Sequence, residues 1–387
     1  MMGELARRYP PHSLVVSTGA YPGSAASDAD LPQPVDRVSV AATRLRAAHG
    51  LALWTWRAGA LARRWRPGFA WCGELKPAAY PAWWLRVRRG IPYGIVAYGA
   101  ELLLLDQKIR RSRLRRRTNA ALLGNAAVVV AISRWTAEYA RRLLAELGLN
   151  RLAEQVRVVH LGTDPEQFRP GLDTQAVKHK YGLEGGPWIL TVARLDWHKG
   201  FDTVIRALPA VRSRHPTARY AIAGVGAGRA WLERLVADMG MGEAVRFLGF
   251  VPDDDLPALY NAADLFVLAS RRHDLLVEGF GIAVVEASAS GLAVLGGREA
   301  GVPDAIREGE TGLLADPYDP AAVAEGMNRL LGDAELRRRM GAAGRRAVET
   351  YYNWDRVAKD LMRIDQEFRS LTPSGAAFRS PAPPAAP

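Results

Sequence analysis

Residues 188–201 read Trp188-Ile189-Leu190-Thr191-Val192-Ala193-Arg194-Leu195-Asp196-Trp197-His198-Lys199-Gly200-Phe201. The first five are apolar or β-branched and do not alternate with polar residues, the pattern of a strand buried on both faces. A polar loop follows, and beyond Gly200 a helix begins. Strand, loop and helix in that order make half of a parallel β-α-β unit.

Outward from this stretch the alternation fills the chain. Ahead of it, strands are predicted at 14–17, 37–40, 69–72, 93–98, 126–132 and 156–161. Helices fall between them at about 42–65, 78–88, 102–123 and 134–147, with Ser133 placed to cap the last. Behind it, strands are predicted at 188–192, 219–223, 245–250, 265–269, 293–295 and 313–315. Their helices begin near Gly200, Arg229, Asp254, Gly281, Val302 and Pro320. Two such series predict an α/β protein of two doubly wound domains, residues 1–168 and 169–352. Residues 353–372 read as a C-terminal helix packing back on the first domain. Residues 373–387, rich in Pro, Ala and Ser, read as a disordered tail.

Composition narrows the class. Of 387 residues 49% are hydrophobic and 24% charged, which excludes disorder as the main state. No run of eighteen apolar residues exists, and the first residues show no signal-peptide pattern. Cys72 is the single cysteine, which excludes internal disulfides and cysteine-based zinc sites and makes a reducing cytoplasm the expected address. The net charge is +12, and it is uneven: residues 1–165 carry 25 Lys and Arg against 11 Asp and Glu, residues 166–387 carry 27 against 29. Nucleic acid, an anionic membrane and a phosphorylated small molecule each suit such a surplus.

Ligands of parallel sheets bind at the carboxyl ends of strands, so the strand exits are where chemistry is expected. After 188–192, Arg194 and Lys199 lead to a helix N-terminus, an arrangement suited to a diphosphate. After 265–269 comes Glu278-Gly279-Phe280-Gly281-Ile282-Ala283-Val284-Val285-Glu286. Glycines on either side of Phe280 let an anion approach the amides that open a helix. Glu278, a carboxylate just ahead of such a site, suits hydroxyl groups rather than phosphate, and Glu286, two turns on, suits a ribose diol.

Glu278-x7-Glu286, the Arg194…Lys199-Gly200 loop and the turn Ala300-Gly301-Val302-Pro303-Asp304 together resemble the family 4 glycosyltransferases. Leu161-Gly162-Thr163-Asp164-x-x-x-Phe168-Arg169-Pro170 is similar to the family's interdomain signature, and Gly309-x-Thr311-Gly312-Leu313-Leu314 to a late one. The likeness spans residues 14–359. It implies the GT-B fold, two Rossmann-like domains facing each other across a cleft, the first on the acceptor side. It also implies transfer of a hexose from a UDP-, GDP- or ADP-sugar to a saccharide, lipid-linked or polysaccharide-precursor acceptor, with retention of configuration. By the same resemblance Arg194, Lys199 and Glu278 would be catalytic. Gly279, Phe280, Gly281, Ile282, Glu286, Tyr98 and Gly224 would bind the donor, with no metal and no cofactor.

Two positions depart from the family. Tyr98 in Tyr98-Gly99-Ala100-Glu101 stands where a His is frequent. The family also opens with a strand and Gly-Gly loop ahead of a helix such as 3–9, so this form is expected to lack both and to turn over poorly.

Other signals are weaker. Gly224-Val225-Gly226-Ala227-Gly228-Arg229 lacks the last glycine of a dinucleotide motif and is expected to make a strand-to-helix turn. Asp253-Asp254-Asp255 is expected to cap a helix rather than hold a metal. His12, His49, His160, His179, His198, His215 and His273 show no ligand spacing, and His198 is expected to be exposed. Residues 108–117 hold seven basic residues on one predicted helix, and six tryptophans fall between Trp54 and Trp84 among arginines. That mixture suits an anionic membrane surface. No helix-turn-helix, RNP or zinc signature supports nucleic-acid binding. A nucleotide-sugar epimerase and a catalytically impaired nucleotide-sugar-binding remnant are the alternative readings.

Overall fold

The valine and isoleucine runs become strands. The computed structural model describes residues 2–21, 24–29, 31–39 and 44–370, and the tail expected at 373–387 lies outside them. The chain forms two compact units. One comprises Met1–Ile132, Ala137–Val159 and Trp354–Pro387, the other Ser133–Thr136 and His160–Asn353. The chain thus enters the second unit ahead of the boundary expected at 168. It returns to the first with the helix Trp354–Ser370, which packs on the helix Met2–Arg8.

The first unit holds β1 (Val16–Gly19), β2 (Val35–Val38), β3 (Ala70–Cys72), β4 (Tyr93–Ala97), β5 (Val128–Ala131) and β6 (Val156–Val158), all parallel to their neighbours. They form two separate sheets, β1-β2 and β3-β4-β5-β6. β4 and β5 are buried along their whole length, as their unbroken apolar sequences require. Residues 15–18 and 69–73, at β1 and β3, line a cavity of about 610 Å³. Asp365, in its wall, is pushed up to about 6 by burial, against the pull of Arg369.

One expected helix is two. The run 102–123 divides into Ala100–Arg110 and Arg113–Gly124, with Ser112 extended between them and its hydroxyl accepting from the Arg115 amide at 3.3 Å. The basic residues of 108–117 therefore lie on two helices, with Arg111 between them. Arg110 pairs with Asp106 and Glu146, while Arg113, Arg115 and Arg117 are exposed. Among the six tryptophans only Trp56 is exposed, and Trp54 and Trp65 are buried. Most of that cluster is packing.

The second unit is one parallel sheet of β7 (Trp188–Val192), β8 (Arg219–Ala223), β9 (Val245–Gly249), β10 (Leu265–Leu268), β11 (Val294–Gly297) and β12 (Gly312–Ala315). Its order, β12-β11-β10-β7-β8-β9, is that of a doubly wound sheet whose direction of growth reverses between β7 and β10. The helix Phe201–Arg214 shows why the sequence settles this way. Phe201, Val204, Ile205, Leu208 and Val211 recur at helical spacing and are all buried, each contributing about 1.5–3 kcal/mol of apolar burial.

The Asp253–Asp255 run corrects an expectation. The Asp255 side chain makes no capping bond to the helix Leu256–Ala262. It accepts instead from Lys180 Nζ and the Tyr181 hydroxyl, both at 2.6 Å, because these stronger donors reach it from the helix Gln175–Tyr181. Among the described residues no helix is long and apolar enough to cross a membrane.

Candidate functional site

The reversal point between β7 and β10 brings two loops side by side, residues 193–200 and 269–281. Each leads to a helix N-terminus, Phe201–Arg214 and Ile282–Ala289. Both helices are capped by glycines in left-handed conformation, Gly200 at φ 72° and Gly281 at φ 95°. Neither cap has a side chain to occupy the first amides, so two helix N-termini at neighbouring strand ends remain suited to an anion.

The loops touch closely. A Cβ on Gly200 would stand 1.8 Å from the Ala269 carbonyl oxygen, so only glycine fits there. The Arg271 amide donates to the His198 carbonyl at 2.8 Å, and its guanidinium binds both Asp202 oxygens at 2.8 Å and the Thr203 hydroxyl at 2.7 Å. Gly224 buttresses the same loop, since a Cβ there would lie 1.9 Å from the Ala193 carbonyl oxygen. The Gly228 amide donates to Leu195 at 2.8 Å. The glycines of 224–229 make the expected turn and hold the Arg194 loop.

Lys199 Nζ is hydrogen-bonded to Glu278, and both side chains are about 15% exposed. The two residues that the sequence put on separate loops thus form one ion pair across the reversal point. Burial at this depth makes the pair matter, because either partner alone would be an uncompensated charge. Arg194 differs. Its side chain is 76% exposed, and among the described residues it pairs with Asp196 at 3.0 Å.

Glu286 sits on the helix Ile282–Ala289, where it accepts from the Tyr260 hydroxyl at 2.8 Å. Burial pushes its carboxyl up to about 7, against the pull of that hydrogen bond. Phe280 is fully buried, so toward a ligand it can offer only its backbone. His198 is 4% exposed, which overturns the expected exposed loop histidine. It lies in the 3-10 turn Trp197–Lys199, and burial, then the Lys199 charge, lowers it to about 4. It is neutral at physiological pH.

Tyr98 belongs to the first unit. Its amide donates to Glu101 at 2.5 Å, so Glu101 caps the start of its own helix, Ala100–Arg110. Sequence reasoning missed Arg271 and Tyr260. An arginine after a strand and a tyrosine in a helix carry no spacing signal until the fold sets them beside His198 and Glu286. The structure places Arg194, Lys199, Gly224, Glu278, Gly279, Phe280, Gly281, Ile282 and Glu286 in the second unit.

Residues 173–347 match the family described as Glycosyl transferases group 1. The GDP-mannose-dependent alpha-(1-6)-phosphatidylinositol monomannoside mannosyltransferase of Mycolicibacterium smegmatis is 35% identical over 250 residues, 64% of this chain and 62% of that protein. The D-inositol 3-phosphate glycosyltransferase of Acidothermus cellulolyticus is 34% identical over 258 residues, 63% of this chain and 55% of that one. The matches span less than two thirds of these relatives' length. Among solved structures, sucrose-phosphate synthase from Thermosynechococcus elongatus superposes with a TM-score of 0.71 at 23% identity, covering 88% of this chain and 84% of that one. A glycosyltransferase from Rickettsia africae reaches 0.77 at 16% identity, covering 96% and 95%. The fold is therefore GT-B, with two Rossmann-like domains, and over residues 173–347 the resemblance read from the motifs is borne out.

Proposed function

We propose, on the premise that residues 173–347 are a group 1 glycosyl transferase segment, that this protein transfers a hexose from a nucleotide-sugar to an acceptor. The observation that carries the reading is the Lys199–Glu278 pair between two glycine-capped helix N-termini at the sheet's reversal point. A diphosphate at that point would meet the Lys199 ammonium, the exposed Arg194 guanidinium and the amides at the start of the helix Ile282–Ala289. These positive groups stabilise the charge that grows on the leaving phosphate as the glycosidic bond breaks. Glu278, its own charge balanced by Lys199, accepts hydrogen bonds from sugar hydroxyls, and Glu286 from the ribose diol. The protein cations do the neutralising, so transfer requires no divalent metal and survives chelation.

The donor we favour is GDP-mannose, because the relative from Mycolicibacterium smegmatis is named for its dependence on it. As the resemblance to family 4 glycosyltransferases implies, transfer retains the anomeric configuration, with the leaving phosphate taking the acceptor's proton. The acceptor is a lipid-linked glycan at the cytoplasmic face of an anionic membrane. Exposed Arg113, Arg115 and Arg117 beside exposed Leu114 support that reading. The test is turnover of GDP-, UDP- and ADP-hexoses with EDTA present. Release of nucleoside diphosphate from one of them supports the reading, and release from none overturns it.

A further inference from the structure

Behind the Glu278–Gly281 loop lies a cluster that no step above uses. The His160 ring stacks on the Phe280 ring, centroids 5.8 Å apart and planes 17° from parallel. Its Nε2 lies 3.3 Å from Asp304 Oδ2, and its Nδ1 is 3.0 Å from the Tyr351 hydroxyl. Asp304 is 6% exposed and takes more than this one partner. Its Oδ1 accepts from Arg134 Nε at 2.6 Å, its Oδ2 accepts from the Arg134 amide, and its carbonyl accepts from the Tyr352 hydroxyl at 2.8 Å. Burial pushes the Asp304 carboxyl up, but the bonds from His160 and Arg134 outweigh it and hold the group lowered, as a carboxylate.

The turn that carries Asp304 also seats the loop from its other side. The Gly301 amide donates to the Glu278 carbonyl at 3.0 Å, and a Cβ on Gly301 would stand 1.9 Å from the Gly279 carbonyl oxygen. The loop is thus gripped at Glu278 and Gly279 by the turn, and at Phe280 by the ring that Asp304 orients.

The residues bound to Asp304 occupy particular places in the chain. Arg134 lies in the short segment Ser133–Thr136, His160 opens the long segment of this unit, and Tyr352 stands one residue before its end at Asn353. One residue therefore gathers these passages, its carboxylate holding Arg134 and His160 and its backbone carbonyl holding Tyr352.

We propose that His160 and Asp304 are positioning residues for the Glu278–Gly281 loop, and that through them the loop is coupled to the backbone passages at 133–136, 160 and 352–353. Neither side chain touches the donor. They fix where the loop amides point, and a ligand on the loop tightens the passages. Naming the loop's ligand as a nucleoside diphosphate rests on the function proposed above. The positioning role does not.

Amide hydrogen exchange on the full chain tests it, first without ligand. His160→Ala removes the ring and its contact with Asp304 together, His160→Phe restores the ring alone, and Asp304→Ala removes the carboxylate while Tyr351 and Phe280 still contact the ring. The alanine variants are expected to speed exchange at 279–282 by about tenfold, with β7, β8 and β10 unchanged and with His160→Phe recovering most of the protection. Wild-type exchange at 279–282 in His160→Ala would overturn the proposal, and so would a uniform rise across the sheet. GDP is then added. In the wild type it is expected to slow exchange at 279–282 and at the passages, and in His160→Ala at 279–282 alone. Protection confined to the loop in the wild type would overturn the coupling. Protection nowhere would contradict the donor reading, with the ligand-free comparison still deciding the positioning role.

Discussion

Lys199 and Glu278 are each other's closest charged partner, which changes what substitution at either should do. Lys199→Met leaves a carboxylate with little water, and Glu278→Gln leaves an ammonium in the same state. Each single change is expected to cost about 1–3 kcal/mol, less than a fully buried pair because some solvent reaches both groups. The double variant should regain most of that stability while transferring no sugar. Urea melts of all four proteins measure the coupling, and equal midpoints for the singles and the wild type would contradict it. Glu286 carries a different signature. With its pKa raised to about 7, the folded state holds the proton more tightly than the unfolded chain, so its contribution to stability falls as pH rises from 4.5 to 7. Glu286→Gln removes that fall and should melt roughly 4 °C above the wild type at pH 8 while losing donor affinity. In the wild type, affinity should rise between pH 6 and 8 as the carboxylate forms. His198 has the opposite sign: lowered to about 4, it makes the fold lose stability as pH drops from 6.5 toward 4.

At the scale of elements, the strands were legible because β-branched apolar runs have few other uses. Trp188–Val192 and Arg219–Ala223 fall where the sequence put them. The break between Arg110 and Arg113 was not, since leucines and arginines on both sides favour helix and nothing but Ser112 marks the stop. The site was half legible. Spacing in one loop, such as Glu278 to Glu286, can be read along the chain, whereas Arg271 under His198 and His160 on Phe280 depend on loops brought together by the sheet order. The glycine of the 300–304 turn, Gly301, matters for the same reason. Gly301→Ala would drive a methyl into the Gly279 carbonyl, so it should cost about 1–3 kcal/mol and weaken nucleotide binding. A Gly301→Ala protein that binds nucleotide as the wild type does would show that the turn does not set the loop.

For the whole molecule, the charge split now has a chemical reading. Residues 166–387 carry almost balanced charge, and they contain the loop cations and helix ends suited to an anionic donor. The surplus in residues 1–165 therefore serves something other than the diphosphate. Its exposed arginines at 113, 115 and 117 should bind anionic vesicles at low salt and release them as salt screens the charges. Equal sedimentation with neutral and anionic vesicles would contradict that. The central claim is that the β7–β10 reversal point holds a nucleotide-sugar for transfer, and direct turnover tests it best. Purified protein with GDP-mannose, EDTA and a membrane extract is expected to release GDP and label the lipid fraction with mannose, and the Lys199→Met/Glu278→Gln protein to do neither. GDP release at the same rate from wild type and double variant would contradict the account.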